Sequence, residues 1–142
     1  MARLALAGIA GVGVDSREVE RGGISYTVDT LAELSLASPG DRWRLVIGAD
    51  NLSAFTTWRR WRRLLELADL LVVARAGFGI EVPTEVPEGV VVVTEFDSPV
   101  AATALRKSLA VGGLPRSEVP TVVLAYIQSG GLYGADQGRR RP

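Results

Sequence analysis

The sequence predicts an α/β protein in which helices flank a parallel β-sheet. Short apolar runs of strand length, at 43–48, 70–74 and 90–96, alternate with segments whose apolar residues recur at helical spacing. The runs are almost continuously apolar, which is typical of parallel strands buried on both faces. Glycine and proline separate many of these segments, so the predicted order alternates strand and helix.

The composition indicates one soluble domain and excludes several kinds of chemistry. The chain has 142 residues, 47% of them hydrophobic and 23% charged, with zero formal net charge. This length supports one domain with a sizeable core, and the charge gives no general attraction to nucleic acid or anionic lipid. The 142 residues include no cysteine and no histidine. Disulfides, thiolate catalysis and histidine chemistry are therefore excluded from these residues.

The N-terminal residues can be interpreted in two ways. One positive charge precedes an apolar stretch at 4–14, which suits the core of a signal peptide but is too short to span a membrane. The alternative is a buried helix from Arg3 to Ile9 or Ala10 that leads into a strand at 12–19. Interspersed glycines and the lack of a clear small-x-small cleavage site before Asp15 favour the helix and strand.

Four more helices are predicted from apolar spacing and from residues that begin or end a helix. They are expected over 27–37, 57–69, 98–111 and about 119–128. Ser98 is a suitable cap for the third of these helices, with Pro99 at its first position. We expect residues 1–133 to form one partial domain and residues 134–142 to form a polar, disordered tail.

Candidate site residues fall where the predicted strands end. In a parallel sheet, ligands bind beyond the carboxyl ends of the strands, where loops lead into helix N-termini. Three segments fit: Ser-Tyr-Thr-Val-Asp-Thr at 25–30, Gly-Ala-Asp at 48–50 and Ser-Pro at 98–99. We expect them at one edge of the sheet. The sequence has neither a glycine-rich P-loop nor a Gly-x-Gly-x-x-Gly motif.

Each candidate also has a purely structural interpretation. Thr30 and Glu33 fit a capping box, and Asp29 would favour a helix N-terminus electrostatically. Asp50 could bond a ribose hydroxyl or cap the next helix. Trp58 could stack on an aromatic ring or pack in the core. These patterns alone leave both interpretations open.

A basic run, Arg-Arg-Trp-Arg-Arg at 59–63, raises the question of nucleic-acid binding. Basic residues around an aromatic side chain occur in such sites. The run also lies in the predicted helix over 57–69, near Glu66 and Asp69, where arginines fit the solvated face of an amphipathic helix. We favour the solvated face and do not expect nucleic acid or a membrane as a partner.

Taken together, these segments resemble the nicotinate mononucleotide adenylyltransferases. The matching stretches follow the family's order and spacing from about Arg3 to Tyr133, and they are GGISYTVDTL, LVIGADNLSAFTTW, ELADLLVVARAGF, ALRKSL and VPTVVLAYIQSGGLYG. The resemblance implies an incomplete Rossmann-like nucleotidyltransferase sheet with flanking helices and a C-terminal helical pair. It also implies a cytoplasmic enzyme of NAD biosynthesis.

The resemblance assigns substrate-binding roles to four residues. Thr27 is expected at the nicotinate carboxylate, and Asp29 belongs to the same pocket wall. Asp50 is expected to face the nucleotide, and Trp58 to stack on the pyridine ring. The opening polar segment would then line a pocket as well as begin a helix.

A later segment resembles the family's motif for the ATP triphosphate. That motif has two serines, a threonine, one variable residue, an aliphatic residue and an arginine. Thr103, Leu105 and Arg106 match it, whereas Ala101 and Ala102 stand in place of the serines. Thr103 and Arg106 are therefore the expected phosphate ligands, without two of the family's hydroxyl donors.

The reaction implied by the resemblance joins nicotinate mononucleotide to ATP. The mononucleotide phosphate attacks the α-phosphorus of ATP and yields deamido-NAD and pyrophosphate, with Mg²⁺ carried on the phosphates of ATP. The protein forms no covalent bond and acts by holding the two phosphates in line and neutralising charge. No protein-held metal is expected.

The family's glycine-rich N-terminal segment with paired histidines has no counterpart in these residues. We therefore expect a sheet with exposed edges and a chain that is inactive alone. The alternatives are a truncated product, one half of a split protein with a separate N-terminal half, and a non-catalytic mononucleotide-binding or assembly module. Self-association is expected from the exposed edges.

Overall fold

The computed structural model describes residues 1–74, 80–87, 91–95 and 100–134, with the backbone alone for 91–95. Within these residues the helices and strands are short. In chain order they are α1 (Ala2–Leu6), α2 (Arg17–Arg21), α3 (Thr27–Ala37), β1 (Trp43–Gly48), α4 (Ala49–Leu52), a 3-10 turn (Phe55–Thr57), α5 (Trp61–Leu67), β2 (Ala68–Ala74), β3 (Val91–Glu95), α6 (Ala102–Ala110), α7 (Thr121–Ser129) and a second 3-10 turn (Leu132–Gly134).

The chain divides into two compact units, which we name the sheet unit and the helical unit. The sheet unit is Ser16–Ser98, and the helical unit combines Met1–Asp15 with Pro99–Pro142. In the sheet unit, three parallel strands lie in the order β1-β2-β3. The predicted parallel sheet is therefore confirmed.

One face of the sheet packs against helices and forms the core. Alternate residues of β2 are buried on this face, with Leu70 and Val72 fully inaccessible to solvent. Ile47 pairs in register with Val72 and is also buried. Burying these side chains provides most of the stabilisation of this unit, at about 1.5–3 kcal/mol for each large aliphatic residue. The core also includes Val28 of α3, Leu52 and Phe55 before α5, and Trp61 and Leu64 of α5.

The opposite face of β1 is open. Val46 is 58% exposed and Arg44 is exposed, while their register partners Leu71 and Asp69 are half-buried. In the described part of the chain, β1 pairs with β2 along one side only. The predicted burial of parallel strands on both faces therefore does not hold at β1.

The strand predicted over 12–19 is wrong. Residues 12–16 have no regular structure, and α2 begins at Arg17. Alternating Val12 and Val14 imitate a strand, but the following polar residues favour a helical turn. The Ser16 hydroxyl donates to the Glu20 carboxylate, and the Glu20 N–H donates to the Ser16 carbonyl. The segment 25–30 therefore follows a helix rather than a strand of the sheet.

The helix predicted over 57–69 is shorter than expected. It is confirmed only as α5, which begins at Trp61, and Trp58 has extended backbone angles (φ −69°, ψ 147°) outside it. Arg60, the residue before α5, is left-handed with φ 50°. A left-handed residue interrupts a right-handed helix, so Trp58 and Trp61 do not share a helical face.

The helical unit confirms the predicted C-terminal helical pair. Leu109 of α6 is buried with residues of α7, including Leu124 and Ile127. The N-terminal helix α1 contacts α7 through Leu4, which is half-buried against the same cluster. The helix predicted over 98–111 begins later than expected, at Ala102, and its N-cap is Ala101 rather than Ser98. Ser98 itself and the tail at 135–142 lie outside the described residues. None of the helices in the described segments combines the length and apolar character needed to cross a membrane.

Candidate functional site

The first turn of α3 has open backbone donors. Its N-cap residue is Tyr26, and no side chain caps the helix. The N–H groups of Asp29 and Thr30 donate to the Tyr26 carbonyl at 3.0 and 3.2 Å. The N–H groups of Thr27 and Val28 have no intrahelical acceptor, as in any first helical turn. Thr27 and Asp29 are half-buried, so this turn presents polar groups beside the core.

The predicted capping box of Thr30 and Glu33 is wrong. The Thr30 hydroxyl donates instead to Glu18 Oε1 at 2.6 Å. Glu33 accepts from Arg21 at 2.7 Å and lies 3.8 Å from Arg17. We name this set of contacts the α2–α3 tether. Thr30 and Glu33 therefore hold α3 against α2 instead of capping α3. Their partners all lie on α2, the helix that occupies part of the segment predicted as a strand.

Asp50 folds back over Gly48 at the carboxyl end of β1. A Cβ atom on Gly48 would overlap Asp50 Oδ1, while the Asp50 Cγ and Asn51 Nδ2 atoms lie at ordinary contact distances of 3.6 and 3.8 Å. Asp50 is exposed in the first turn of α4, and Asn51 Nδ2 donates to its Oδ1 at 3.4 Å. Gly48 is therefore required by the position of this carboxylate rather than by an unusual φ.

Trp58 lies half-buried at the margin of the sheet-unit core. Its ring is 5.5 Å from the ring of Phe55, tilted by 49°. Trp61 lies 6.2 Å from the same Phe55 ring on the buried side, and only 9% of Trp61 is exposed. Trp61 therefore packs in the core, while part of Trp58 remains accessible to a ligand.

Arg59 connects the Trp58 segment to the start of α3. Its guanidinium carbon lies 4.3 Å from the centroid of the Tyr26 ring. This contact was not predicted, since sequence spacing does not show how the loop before α5 turns.

The structure brings four of the six expected site residues into one unit. Tyr26, Ala49 and Trp58 all pack against the sheet-unit core, and the first two directly precede Thr27 and Asp50. Thr103 and Arg106 lie on the exposed side of α6 in the helical unit.

The charges around the basic run are only partly paired. Arg63 contacts Glu66, and Asp69 pairs with Arg42 at 3.3 Å rather than with the run. Arg59 and Arg62 have no carboxylate partner in the described ranges, and Arg62 stacks on Trp61 at 4.3 Å. Within those ranges, no group of three or more acidic residues could hold a metal ion.

Known proteins resemble this chain in sequence over most of its length. No family model matches it. A probable nicotinate-nucleotide adenylyltransferase of Methylibium petroleiphilum is 39% identical, over 97% of this chain and 68% of that protein. Proteins of the same name from Marinobacter nauticus and Geobacillus thermodenitrificans are 35% and 37% identical, and the match covers 72% and 61% of their lengths. The chain thus spans roughly two thirds of these relatives.

Solved structures show the same fold. Plasmodium falciparum nicotinic acid mononucleotide adenylyltransferase complexed with APC matches with a TM-score of 0.59 over 81% of this chain and 61% of that one. Its complex with NaAD gives a TM-score of 0.58. Both are 14% identical to this chain, so they confirm the Rossmann-like nucleotidyltransferase fold alone. With the sequence relatives, they lead to one conclusion: the chain belongs to the nicotinate-nucleotide adenylyltransferase family.

Proposed function

We propose that these 142 residues form the mononucleotide-binding part of an enzyme that makes deamido-NAD from nicotinate mononucleotide and ATP. The observation that supports this most directly is that Tyr26, Ala49 and Trp58 pack against one core, and that Thr27 and Asp50 directly follow the first two of them. Asp50 also lies just past the carboxyl end of β1. Ligands of parallel α/β sheets bind at that end of the strands. Family membership supplies the reaction class.

Each proposed substrate contact follows from a described feature. The uncapped first turn of α3 offers the N–H groups and the Thr27 hydroxyl to the nicotinate carboxylate, favoured by the helix dipole. Asp29 lines the same side of the proposed pocket as Thr27. The accessible part of the Trp58 ring stacks on the pyridine, and the exposed Asp50 carboxylate accepts hydrogen bonds from ribose hydroxyls.

In the proposed reaction, an oxygen of the mononucleotide phosphate forms a bond to the α-phosphorus of ATP. The bond from that phosphorus to the bridging oxygen breaks, and pyrophosphate leaves with the electron pair. Mg²⁺ enters as part of the substrate MgATP and offsets the charge on its phosphates. Thr103 and Arg106 are the proposed protein contacts to the ATP phosphates, and a cytoplasmic location would supply that ATP.

We further propose that the 142 residues do not catalyse the reaction alone. They contain no histidine, and Ala101 and Ala102 offer no hydroxyl to phosphate. Each missing donor to a transferring phosphate costs roughly 10²–10³ in rate. The exposed edge of β1 and the exposed Val46 favour pairing with an added strand, from a separate N-terminal half or from a second copy.

The test is a chromatographic assay for deamido-NAD and pyrophosphate with nicotinate mononucleotide, ATP and Mg²⁺. We expect no product from the 142 residues alone. Product should form when a relative's glycine-rich, paired-histidine segment is added, in one chain or as a separate partner, and it should fall on Arg106→Ala. Turnover by the 142 residues alone that is abolished by Asp50→Ala would contradict the proposal.

A non-catalytic mononucleotide-binding or assembly module is the second candidate. The absence of histidine and of the two serines favours it. In that case the combined protein would still bind nicotinate mononucleotide, and no deamido-NAD would form.

A further inference from the structure

Arg59 stacks on the residue that directly precedes the expected carboxylate ligand. The guanidinium carbon lies 4.3 Å from the Tyr26 ring centroid, within the range of a cation–π contact. Tyr26 is the N-cap of α3 and is followed by Thr27, and Arg59 itself follows Trp58. Arg59 therefore joins two expected parts of the pyridine pocket: it follows Trp58 in the chain and contacts the residue before Thr27.

The charge of Arg59 is not neutralised by the described residues. Its side chain is exposed, and its one aromatic contact holds the guanidinium without supplying a negative charge. Arg63 differs, because Glu66 lies against it as an ion-pair partner. A planar guanidinium that stacks on a ring keeps its N–H donors at the edge free for a second partner. Arg59 therefore brings a fixed positive charge to the start of α3.

We infer that Arg59 is a specificity-determining residue, which favours a pyridine mononucleotide bearing a carboxylate over the same mononucleotide bearing a carboxamide. The inference rests on the proposed function. The two ligands share ribose, phosphate and ring, and they differ by one negative charge on the ring substituent. A positive charge beside that substituent stabilises the bound acid and has little effect on the neutral amide. An exposed charge contact of this kind is worth about fivefold in affinity.

The experiment measures the dissociation constants of nicotinate mononucleotide and nicotinamide mononucleotide for the 142-residue chain by equilibrium dialysis. The wild-type chain is expected to prefer the acid. Arg59→Gln should lower that preference about fivefold, through weaker binding of the acid, and Arg59→Lys should retain part of it. Arg62→Gln is the matched control, since Arg62 also stacks at 4.3 Å on an aromatic ring, that of the core residue Trp61.

Ionic strength provides a second measurement that needs no variant. Salt screens an exposed charge contact, so the wild-type preference should decrease between about 0.05 and 1 M NaCl, where the Debye length falls to about 3 Å. The Arg59→Gln preference should change less over the same range. A wild type that prefers the acid and an Arg59→Gln variant with an unchanged preference would overturn the inference alone. A wild type that binds neither mononucleotide would overturn the proposed function as well.

Discussion

Replacing Gly48 by alanine should move the Asp50 carboxylate and little else. An alanine Cβ would overlap Asp50 Oδ1, and its remaining close neighbours lie at ordinary contact distances. The backbone of Gly48 (φ −74°, ψ 155°) is allowed for alanine. The conflict is with the terminal oxygen of an exposed side chain, which can rotate away at small cost.

The expected effects on stability and on binding differ in size. Alanine lowers the entropy of the unfolded chain, a gain of about 0.4–1 kcal/mol, and a displaced rotamer costs roughly 0.5–1.5 kcal/mol. The free energy of unfolding should therefore change by less than about 1 kcal/mol. If Asp50 accepts a hydrogen bond from a ribose hydroxyl, its loss should weaken the binding of nicotinate mononucleotide by about 1.5–3 kcal/mol, roughly 10- to 150-fold.

The assay combines thermal unfolding with equilibrium dialysis of nicotinate mononucleotide. Gly40→Ala is the matched control, since a Cβ there meets no atom within 4 Å and Gly40 has no positive φ. A double-mutant cycle with Asp50→Ala isolates the mechanism, because Gly48→Ala should have almost no further effect once the carboxylate is absent. Equal losses from Gly48→Ala with and without Asp50 would refute this reasoning.

Two other predictions concern the pocket and the open strand edge. Trp58→Ala should weaken the binding of nicotinate mononucleotide by roughly 1–3 kcal/mol, because aromatic burial and stacking are lost. Equilibrium dialysis measures this change. Equal affinity in the wild type and this variant would show that Trp58 does not contact the ligand. Because Val46 and one edge of β1 are exposed, the 142 residues should self-associate in sedimentation experiments as concentration rises. A monomer at every concentration with a sharp cooperative melt would argue against this.

Periodicity predicted the parts of the fold in which burial decides the structure. The strands β1, β2 and β3 and the helix α3 lie close to their predicted positions, because continuous apolar runs and apolar residues at helical spacing leave few alternatives. The apolar run at 43–48 also correctly predicted that Asp50 follows the end of β1. The error at 12–19 arose where Val12 and Val14 alternate without a neighbouring strand to pair with.

The side-chain contacts around the candidate site residues could not be predicted from patterns in the sequence. The left-handed Arg60 directly precedes α5, so the helix begins at Trp61 rather than at 57, and Trp58 lies outside it in an extended conformation. The Arg59–Tyr26 contact and the carboxylate of Asp50 over Gly48 depend on this local backbone geometry. Single residues in unusual conformations leave no periodic signal, so the orientation of these side chains could not be predicted from the sequence.

The α2–α3 tether and the sheet-unit core respond differently to solution conditions. Helix α2 has no buried residue, and Glu18, Arg21 and their partners on α3 join the two helices through polar contacts at the surface. Hydrophobic burial withstands or gains from salt, whereas exposed ion pairs weaken in it. The segment that begins with Gly22 and leads into Thr27 is therefore held by the part of the sheet unit most sensitive to ionic strength. Two arginines share Glu33, so the loss of either one leaves the other in place. Because of this redundancy, the contact between α2 and α3 should tolerate substitutions in α2 that the buried strand β2 would not.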